Sequence, residues 1–398
     1  MVDHHVIVTR DEYSQAVDQL AAGEGPIAVD AERASGYRYS QRAYLIQMFR
    51  RGSGTFLFDP PAIGRLDELE DAIGTDEWIL HAASQDLACL REVGLSPTVL
   101  FDTELGARLL GMPKVGLGTV VEDLLGIHLA KEHSAADWSK RPLPEPWLVY
   151  AALDVELLVD LRDAMAPMLE AAGKMEIARQ EFQAELDREA RPTRADPWRR
   201  LSGIHSVRGL RNLAVARELW LARDALAQEL DIAPGRLVPD TSLTAAAKAM
   251  PASKTELTAM REFSGRASRT EIDRWWAAIE AGRSTTDLPV LRGNGESIPP
   301  PRAWADRNPD ADRRLKNART VVGTLSEEHA IPVENLLTPE LLRRLAWAPP
   351  EPIETTTIAA ELDALGARPW QIEITAEPIA RAFVEPSQTT STGGDDAS

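Results

Sequence analysis

The sequence predicts an α/β domain in the first part of the chain and all-helical structure in the rest. Over about the first 170 residues, short apolar runs alternate with helical patterns, which is typical of an α/β domain. Beyond that point strand patterns disappear, and helices alternate with proline-containing turns to about residue 385. With 398 residues, the chain is long enough for two or three domains.

The strands of the α/β domain begin with the buried apolar run 26–29. Two further runs, 44–49 and 55–58, flank the glycine-bearing turn 51–54, which predicts a hairpin and therefore a partly antiparallel sheet. A fourth short strand is predicted at 78–81. The predicted helices are 65–73, 84–93, 103–111, 117–125 and one long helix from about Glu145 to Leu169.

The helical part contains a weak internal repeat. Residues 232–238 align with residues 331–337 at an offset of 99. The alignment continues without a gap to Leu243, which is aligned with Leu342. Two small helical domains explain this repeat. The predicted organisation is a first domain at 1–185, a basic linker at 186–205, a helical domain at 206–288, a linker at 289–301, a second helical domain at 302–385 and a disordered polar tail at 386–398.

The charge distribution bears on possible partners. The net charge of −18 argues against nucleic acid, but phosphate binding needs only a local excess of Lys and Arg. Between Arg188 and Arg223 the sequence has nine arginines, including Arg208 and Arg211, and only three acidic residues. This segment is either a nucleic-acid contact or a solvated arginine-rich linker and helix face, and the sequence leaves both open.

The composition also excludes several classes of protein. Cys89 is the one cysteine, so an internal disulfide framework and a cysteine-based zinc cluster are excluded. No apolar stretch approaches the length of about 18 residues that a membrane-spanning helix needs. The first residues are charged and lack the apolar core of a secretion signal, so we expect a cytoplasmic protein.

Acidic side chains mark a candidate site in the first domain. Asp30 and Glu32 follow the strand at 26–29, and strand alternation places them on one face. Two carboxylates on one face repel each other unless a cation or full solvation compensates. The alternative is an ordinary solvated strand end.

Three more residues extend this pattern. Asp86 follows the fourth strand and lies in the first turn of a helix, where the helix dipole alone would favour an acid. Tyr150 and Asp154 are four residues apart, on one face of a helix that is largely apolar. A buried Asp154 needs a hydrogen-bond donor, a counter-charge or a metal ion, and pairing with a nearby arginine is the alternative.

Together these residues have a chemical logic. Carboxylate oxygens without His or Cys suit Mg²⁺ or Mn²⁺, and two such ions about 4 Å apart support in-line phosphoryl displacement. Tyr150 would orient the attacking water, because a phenol with a pKa near 10 is a poor base at neutral pH.

These motifs resemble a known family. Asp30-x-Glu32, Asp86 and Tyr150-x-x-x-Asp154 are similar to the three motifs of DEDDy exonucleases, and the best overall match is the ribonuclease D family. The segments 44–47, 58–60 and 137–143 agree with that family as well. The region 226–243 resembles the helicase-and-RNase-D C-terminal domain (HRDC), a nucleic-acid-binding module, and 302–385 resembles a divergent second copy.

The resemblance implies an RNase H-like fold with a mixed five-stranded sheet and flanking helices. It also implies a 3′–5′ exoribonuclease that trims tRNA or other stable RNA and releases 5′-mononucleotides. By the same resemblance, Asp30, Glu32 and Asp154 hold one metal ion. Asp30 holds the other together with Asp86, directly or through water.

The chain departs from the family at Arg33, where many relatives have an aromatic residue that packs against the terminal nucleotide. Arg33 and Lys131 are therefore predicted to contact nucleic acid, together with Arg208 and Arg211, and the protein is expected to be a monomer. A DNA 3′–5′ exonuclease is the alternative with the same chemistry. A catalytically decayed nucleic-acid-binding protein is the alternative from another class, and the presence of all five motif residues argues against it.

Overall fold

The computed structural model describes residues 4–129, 135–188, 196–290 and 298–386. Within these ranges, a mixed sheet with flanking helices is followed by helices alone, as the apolar patterns predict. Lys131, most of the predicted tail and parts of both predicted linkers lie outside the described residues.

The described residues form one mixed sheet of six strands in the order β1-β4-β3-β2-β5-β6. The pairs β2–β3 and β3–β4 are antiparallel, and the other three pairs are parallel, so the predicted hairpin is present. The family resemblance implied five strands, and the two-residue β1 beside β4 makes the sixth. The strands are β1 Val6–Ile7, β2 Glu24–Arg33, β3 Ala43–Arg51, β4 Gly54–Phe58, β5 Glu77–Leu80 and β6 Val99–Asp102.

The helices of this first part cover both faces of the sheet. The predicted single helix from Glu145 to Leu169 is wrong in one respect, because Leu157 separates two helices. The first of them packs on β2, β3 and β4 and the second on β2 and β5, so the chain bends to follow different strands. The helices are α1 Arg10–Ala21, α2 Pro60–Ile63, α3 Asp67–Ile73, α4 Leu87–Glu92, α5 Thr103–Leu109, α6 Leu117–Leu125, α7 Glu145–Glu156, α8 Leu158–Ala171 and α9 Met175–Leu186.

The central strands form the core on which the site is built. Ile27, Ala28 and Val29 of β2 are fully buried, and so are Leu45 and Ile46 of β3. Burying each large aliphatic side chain contributes about 1.5–3 kcal/mol, so these two strands are held firmly where they pass the acidic residues.

In the described ranges after residue 196, twelve further α-helices follow, in two groups that reproduce the internal repeat. Helices α10 and α17 have 21 residues each, and their bounds differ by the same 99 residues at both ends. Asp231 and Ala330, the residues after them, have left-handed φ values of 48° and 47°. The helices are α10 Leu210–Leu230, α11 Pro234–Leu237, α12 Asp240–Ala249, α13 Lys254–Ala259, α14 Arg266–Thr270, α15 Ile272–Ser284, α16 Trp304–Arg307, α17 Pro309–His329, α18 Val333–Leu336, α19 Pro339–Trp347, α20 Thr355–Ala364 and α21 Pro369–Val384.

The two helical groups pack differently. Helices α10–α15 surround an apolar core of their own, whereas the core of α16–α21 is continuous with that of the first domain. Arg368 donates to both carboxylate oxygens of Glu181 on α9, at 2.6 and 2.7 Å. The Trp370 indole N–H donates to the same carboxylate at 2.8 Å. In the described ranges, every helix is too short or too polar to cross a lipid bilayer.

The group α10–α15 contacts the loop between β2 and β3. Asp231 accepts hydrogen bonds from the Ser40 backbone N–H at 2.9 Å and from the Tyr44 hydroxyl at 3.2 Å. Arg236 stacks over the Tyr37 ring, with its guanidinium carbon 3.9 Å from the ring centroid, and donates to the carbonyl of Gly36. These contacts attach the helical group to a loop that begins directly after Arg33.

The Arg368–Glu181 pair provides a test of the packing of α16–α21. Glu181 is only 6% exposed, and replacing Arg368 by Ala leaves its buried carboxylate without a counter-charge. We expect the free energy of unfolding to fall by about 2–4 kcal/mol. Urea denaturation followed by tryptophan fluorescence measures this change.

Arg381 is the matched control, because it forms an exposed ion pair with Glu377 one helix turn away. Arg381→Ala should change stability by less than about 1 kcal/mol. Equal effects of the two substitutions would contradict a structural role for the buried pair.

Candidate active site

Three carboxylates converge where α7 crosses the central strands. Asp30 and Glu32 lie on β2, and Asp154 lies on α7, which packs against β2 and β3. One ligand oxygen from each of the three lies within 4.8 Å of the others. Asp30 and Glu32 therefore share one face of β2, as predicted, and α7 places Asp154 against that face.

Asp86 reaches the same cleft from β5. It lies between the 3₁₀ turn Ala83–Gln85 and α4, and its side chain makes no capping hydrogen bond to that helix. Asp86 lines a cavity of about 370 Å³ together with Asp30, Glu32 and Asp154. The helix dipole alone does not account for an acid that is 5% exposed and directed at other acids.

The turn that carries Asp86 is held by a buried aspartate. Ala82 has a left-handed φ of 62°, a conformation that is strained for a residue with a Cβ. The Asp102 carboxylate accepts hydrogen bonds from the backbone N–H groups of Ala82 and Ala83, at 3.1 and 2.8 Å. Asp102 also caps α5 by accepting from Glu104 and Leu105, so one side chain fixes both segments.

The electrostatics of the four acids favour a bound cation. Burial raises the pKa of each of them above its ordinary value. The neighbouring Asp30 charge raises the pKa values of Glu32, Asp86 and Asp154 further, and that of Asp154 reaches about 8. All-oxygen ligands at this spacing fit a hard divalent cation such as Mg²⁺ or Mn²⁺.

Tyr150 lies one helix turn before Asp154 and lines the same cavity. Its hydroxyl hydrogen-bonds the Asp154 carboxylate, and burial together with the nearby acids raises its pKa. The phenol therefore stays protonated at neutral pH. Trp138 packs beside the ring, with the two centroids 6.5 Å apart.

Arg33 adds a positive charge to this acidic cleft. A guanidinium nitrogen lies 3.6 Å from an oxygen of Asp86, and the Arg33 side chain is 25% exposed. It lines the cavity on the side where the family pattern has an aromatic residue. The position suits contact with a phosphate group, and the prediction that Arg33 binds nucleic acid remains a prediction.

The other predicted nucleic-acid contacts differ in their surroundings. Arg208 is exposed and precedes α10, beside a small depression next to Trp198. Arg211 is half-buried, and its guanidinium donates to the carbonyls of Gly282 and Thr285. Much of the arginine-rich segment is thus used for internal contacts. Arg208 is the better placed of these two predicted contacts.

Three supporting residues escaped the motif analysis. Gln47, fully buried on β3, donates to the Asp30 carboxylate. Asp102 holds the Asp86 turn, and His81 lines the cavity with its Nδ1 2.9 Å from the Thr103 hydroxyl. Burial lowers the pKa of His81 to about 4, so this ring is neutral at pH 7. Two features of the sequence could have indicated them: Gln47 is a glutamine within a buried apolar run, and Asp102 is an N-cap aspartate before a helix.

Comparison with known proteins places this site in a family. Residues 4–170 match the family model of a 3′–5′ exonuclease, 212–279 that of the HRDC domain, and 297–383 that of a 3′ to 5′ exonuclease C-terminal domain. Ribonuclease D of Granulibacter bethesdensis is 32% identical over 280 residues, which cover 67% of each chain. The chain belongs to the ribonuclease D family.

Solved structures agree with membership of the ribonuclease D family. A protein from Bifidobacterium adolescentis is 38% identical, with a TM-score of 0.87 over 95% of this chain and 96% of that one. The structure of Escherichia coli RNase D, described as an exoribonuclease involved in structured RNA processing, is 27% identical. It superposes with a TM-score of 0.70 over 97% of this chain and 100% of its own.

The raised pKa of Asp154 predicts a pH-dependent stability of the metal-free protein. The pKa of Asp154 is about 8 in the fold, and its ordinary value is 3.8. The contribution of the protonated Asp154 carboxyl to the free energy of unfolding is therefore fully present below about pH 4 and is lost as the pH rises through 8. Asp154→Asn keeps this position neutral. We expect the variant to be more stable than the unsubstituted protein at about pH 8.5, by on the order of 2 kcal/mol.

Urea denaturation in the presence of a chelator measures this difference at two pH values. At about pH 4.5 the difference should be much smaller, since this pH is less than one unit above the ordinary pKa of 3.8, at which the unfolded chain begins to lose the Asp154 proton. A variant that is less stable at the higher pH would show that the acids do not repel one another in the fold.

Proposed function

We propose that this chain is a divalent-metal-dependent 3′–5′ exoribonuclease. The observation that carries the proposal is the convergence of Asp30, Glu32 and Asp154 in a cleft that Asp86 and Tyr150 also line. Membership of the ribonuclease D family supports the activity, and the all-carboxylate ligand set supports the metal requirement.

The proposed substrate is the single-stranded 3′ end of a tRNA or another stable RNA, shortened by one 5′-mononucleotide at a time. A cavity of about 370 Å³ is of a size to hold a terminal nucleotide rather than a duplex. The Escherichia coli relative is described as acting in structured RNA processing, which supports this class of substrate. We propose a monomer that acts in the cytoplasm, where its single free thiol, Cys89, stays reduced.

The proposed metal ligands follow from the positions of the acids. Asp30, Glu32 and Asp154 would hold one Mg²⁺ or Mn²⁺ ion, and Asp30 with Asp86 would hold a second, directly or through water. When bound, such a pair lowers the pKa of a water and stabilises the negative charge on the leaving 3′-oxygen.

Two residues of the chain act on the nucleophile and the substrate in this proposal. Tyr150 stays protonated, so its hydroxyl orients the attacking water without removing a proton from it. Arg33 contacts a non-bridging phosphate oxygen through its guanidinium, which donates in a fixed planar geometry.

A DNA 3′–5′ exonuclease is the remaining alternative, because the acidic site acts on the phosphodiester and not on the sugar. The rates of hydrolysis of matched RNA and DNA oligonucleotides with the same 3′ end distinguish the two. Faster cleavage of DNA would overturn the assignment of RNA as the substrate.

Removal of a metal ligand tests the proposed mechanism. Asp30→Asn and Asp154→Asn should each lower kcat by at least about a thousandfold, because a neutral amide replaces a charged ligand. Release of mononucleotides from a 3′-labelled RNA, with Mg²⁺, Mn²⁺ or a chelator, measures the rate.

Asp363→Asn is the matched control, since Asp363 is exposed on α20. It should leave kcat unchanged, and circular dichroism should show that all three variants are folded. Near-normal rates in either site variant would refute the metal assignment.

The proposed phosphate contact of Arg33 has its own test. Arg33→Gln should raise KM for RNA about tenfold and change kcat less, because a charge-assisted hydrogen bond to phosphate contributes about 1.5–3 kcal/mol. Arg65→Gln is the control, since Arg65 is exposed and pairs with Asp67. An unchanged KM in the Arg33 variant would exclude this contact.

A further inference from the structure

Gln47 occupies a position where an apolar side chain is expected. It lies in the middle of β3, whose residues from Ala43 to Met48 are all buried, and its own side chain is fully buried. In the antiparallel pair of β2 and β3, Gln47 is directly opposite Asp30. Side chains opposite each other in such a pair lie on the same face of the sheet.

Among the described residues, only the Nε2 end of the Gln47 amide has a hydrogen-bond partner. Its Nε2 group donates a hydrogen bond to Oδ2 of Asp30. Its Oε1 atom is buried and accepts no hydrogen bond from the residues that the structure describes. A buried acceptor without a donor destabilises the fold. Stability alone therefore does not explain a glutamine at this position.

The single bond to Asp30 indicates a different role. Asp30 is one of the three acids whose oxygens lie within 4.8 Å of one another, and it lines the same cavity as Asp86, so it belongs to both proposed ion positions. A neutral amide donor restrains a carboxylate while leaving its full negative charge available to a cation. A lysine or arginine at position 47 would restrain Asp30 as well, but would neutralise it.

We propose that Gln47 is a positioning residue that holds the Asp30 carboxylate in its metal-binding orientation. This inference rests on the proposed function, because it assigns Gln47 to a ligand of the proposed metal site. Removing a residue that hydrogen-bonds to a metal ligand and orients it typically lowers metal affinity or activity by about 10–100-fold.

The test is the affinity of the full-length protein for Mn²⁺ without RNA, measured by calorimetry. Gln47→Leu, which keeps the approximate volume, should weaken Mn²⁺ binding by about 10–100-fold. Its stability in the presence of a chelator should change little, because the substitution removes the unpaired Oε1 together with the donor to Asp30, and these two effects oppose each other. If the Leu variant does not fold, Gln47→Asn, whose shorter amide cannot reach Asp30 equally well, should show the same loss of affinity.

Gln371 is the matched control. It is also fully buried, but both ends of its amide are paired, with the Arg368 backbone N–H and with the Asn335 carbonyl. Gln371→Leu should lower stability and leave Mn²⁺ affinity unchanged, which is the opposite of the result expected for Gln47→Leu.

Asp30→Asn separates failure of this inference from failure of the proposed function. If Asp30→Asn loses Mn²⁺ binding and Gln47→Leu retains it, the positioning role is wrong and the metal site stands. If Asp30→Asn also binds Mn²⁺ with unchanged affinity, the metal site itself is wrong, and with it the role of Gln47.

Discussion

The structure depends on one unfavourable interaction, the mutual repulsion of four carboxylates gathered in a single cleft. Burial and the charge of Asp30 together raise the pKa values of Glu32, Asp86 and Asp154, which means that the folded chain resists their ionisation. Such a group persists only where the surrounding fold is stable enough to hold it. The fully buried residues of β2 and β3 provide that stability, because the acids lie on or against the most deeply buried strands of the sheet. Neutral side chains would remove this repulsion, but they would also remove the charged oxygen ligands of the proposed metal site.

Most of the groups that hold the acids in place do so without neutralising their negative charge. Gln47 holds Asp30 through a neutral amide, and Asp102 holds the Asp86 turn through backbone N–H groups. Arg33 is the exception, since its guanidinium lies 3.6 Å from Asp86. A single ion pair at this distance, with one partner 25% exposed, reduces the repulsion without removing it. The cleft therefore combines four acids with one positive group, Arg33, which is suited to phosphate.

The sequence predicts those parts of the site that depend on local periodicity. The alternation of β2 and the four-residue spacing on α7 correctly place Asp30 with Glu32 and Tyr150 with Asp154. Contacts across the fold are harder to predict. Asp102 accepts hydrogen bonds from residues 19 and 20 positions earlier, and Gln47 donates to a residue 17 positions earlier, so neither contact can be predicted without the strand register. Local apolar periodicity likewise cannot show that the chain bends at Leu157. Arginine density left open whether the segment 188–223 contacts nucleic acid or is a solvated helix face, and Arg211, one of the predicted contacts, donates to backbone carbonyls inside the helical group.

The helical group α10–α15 is attached to the part of the sheet domain that the site depends on most. Asp231 and Arg236 hold the loop between β2 and β3 by hydrogen bonds to its backbone and by stacking on Tyr37. This loop leaves β2 directly after Arg33 and enters β3 four residues before Gln47. The helical group therefore contacts the segment that connects the strand end carrying Arg33 to the strand carrying Gln47. The shared loop therefore joins the helical group directly to the two strands that carry Asp30, Glu32 and Gln47.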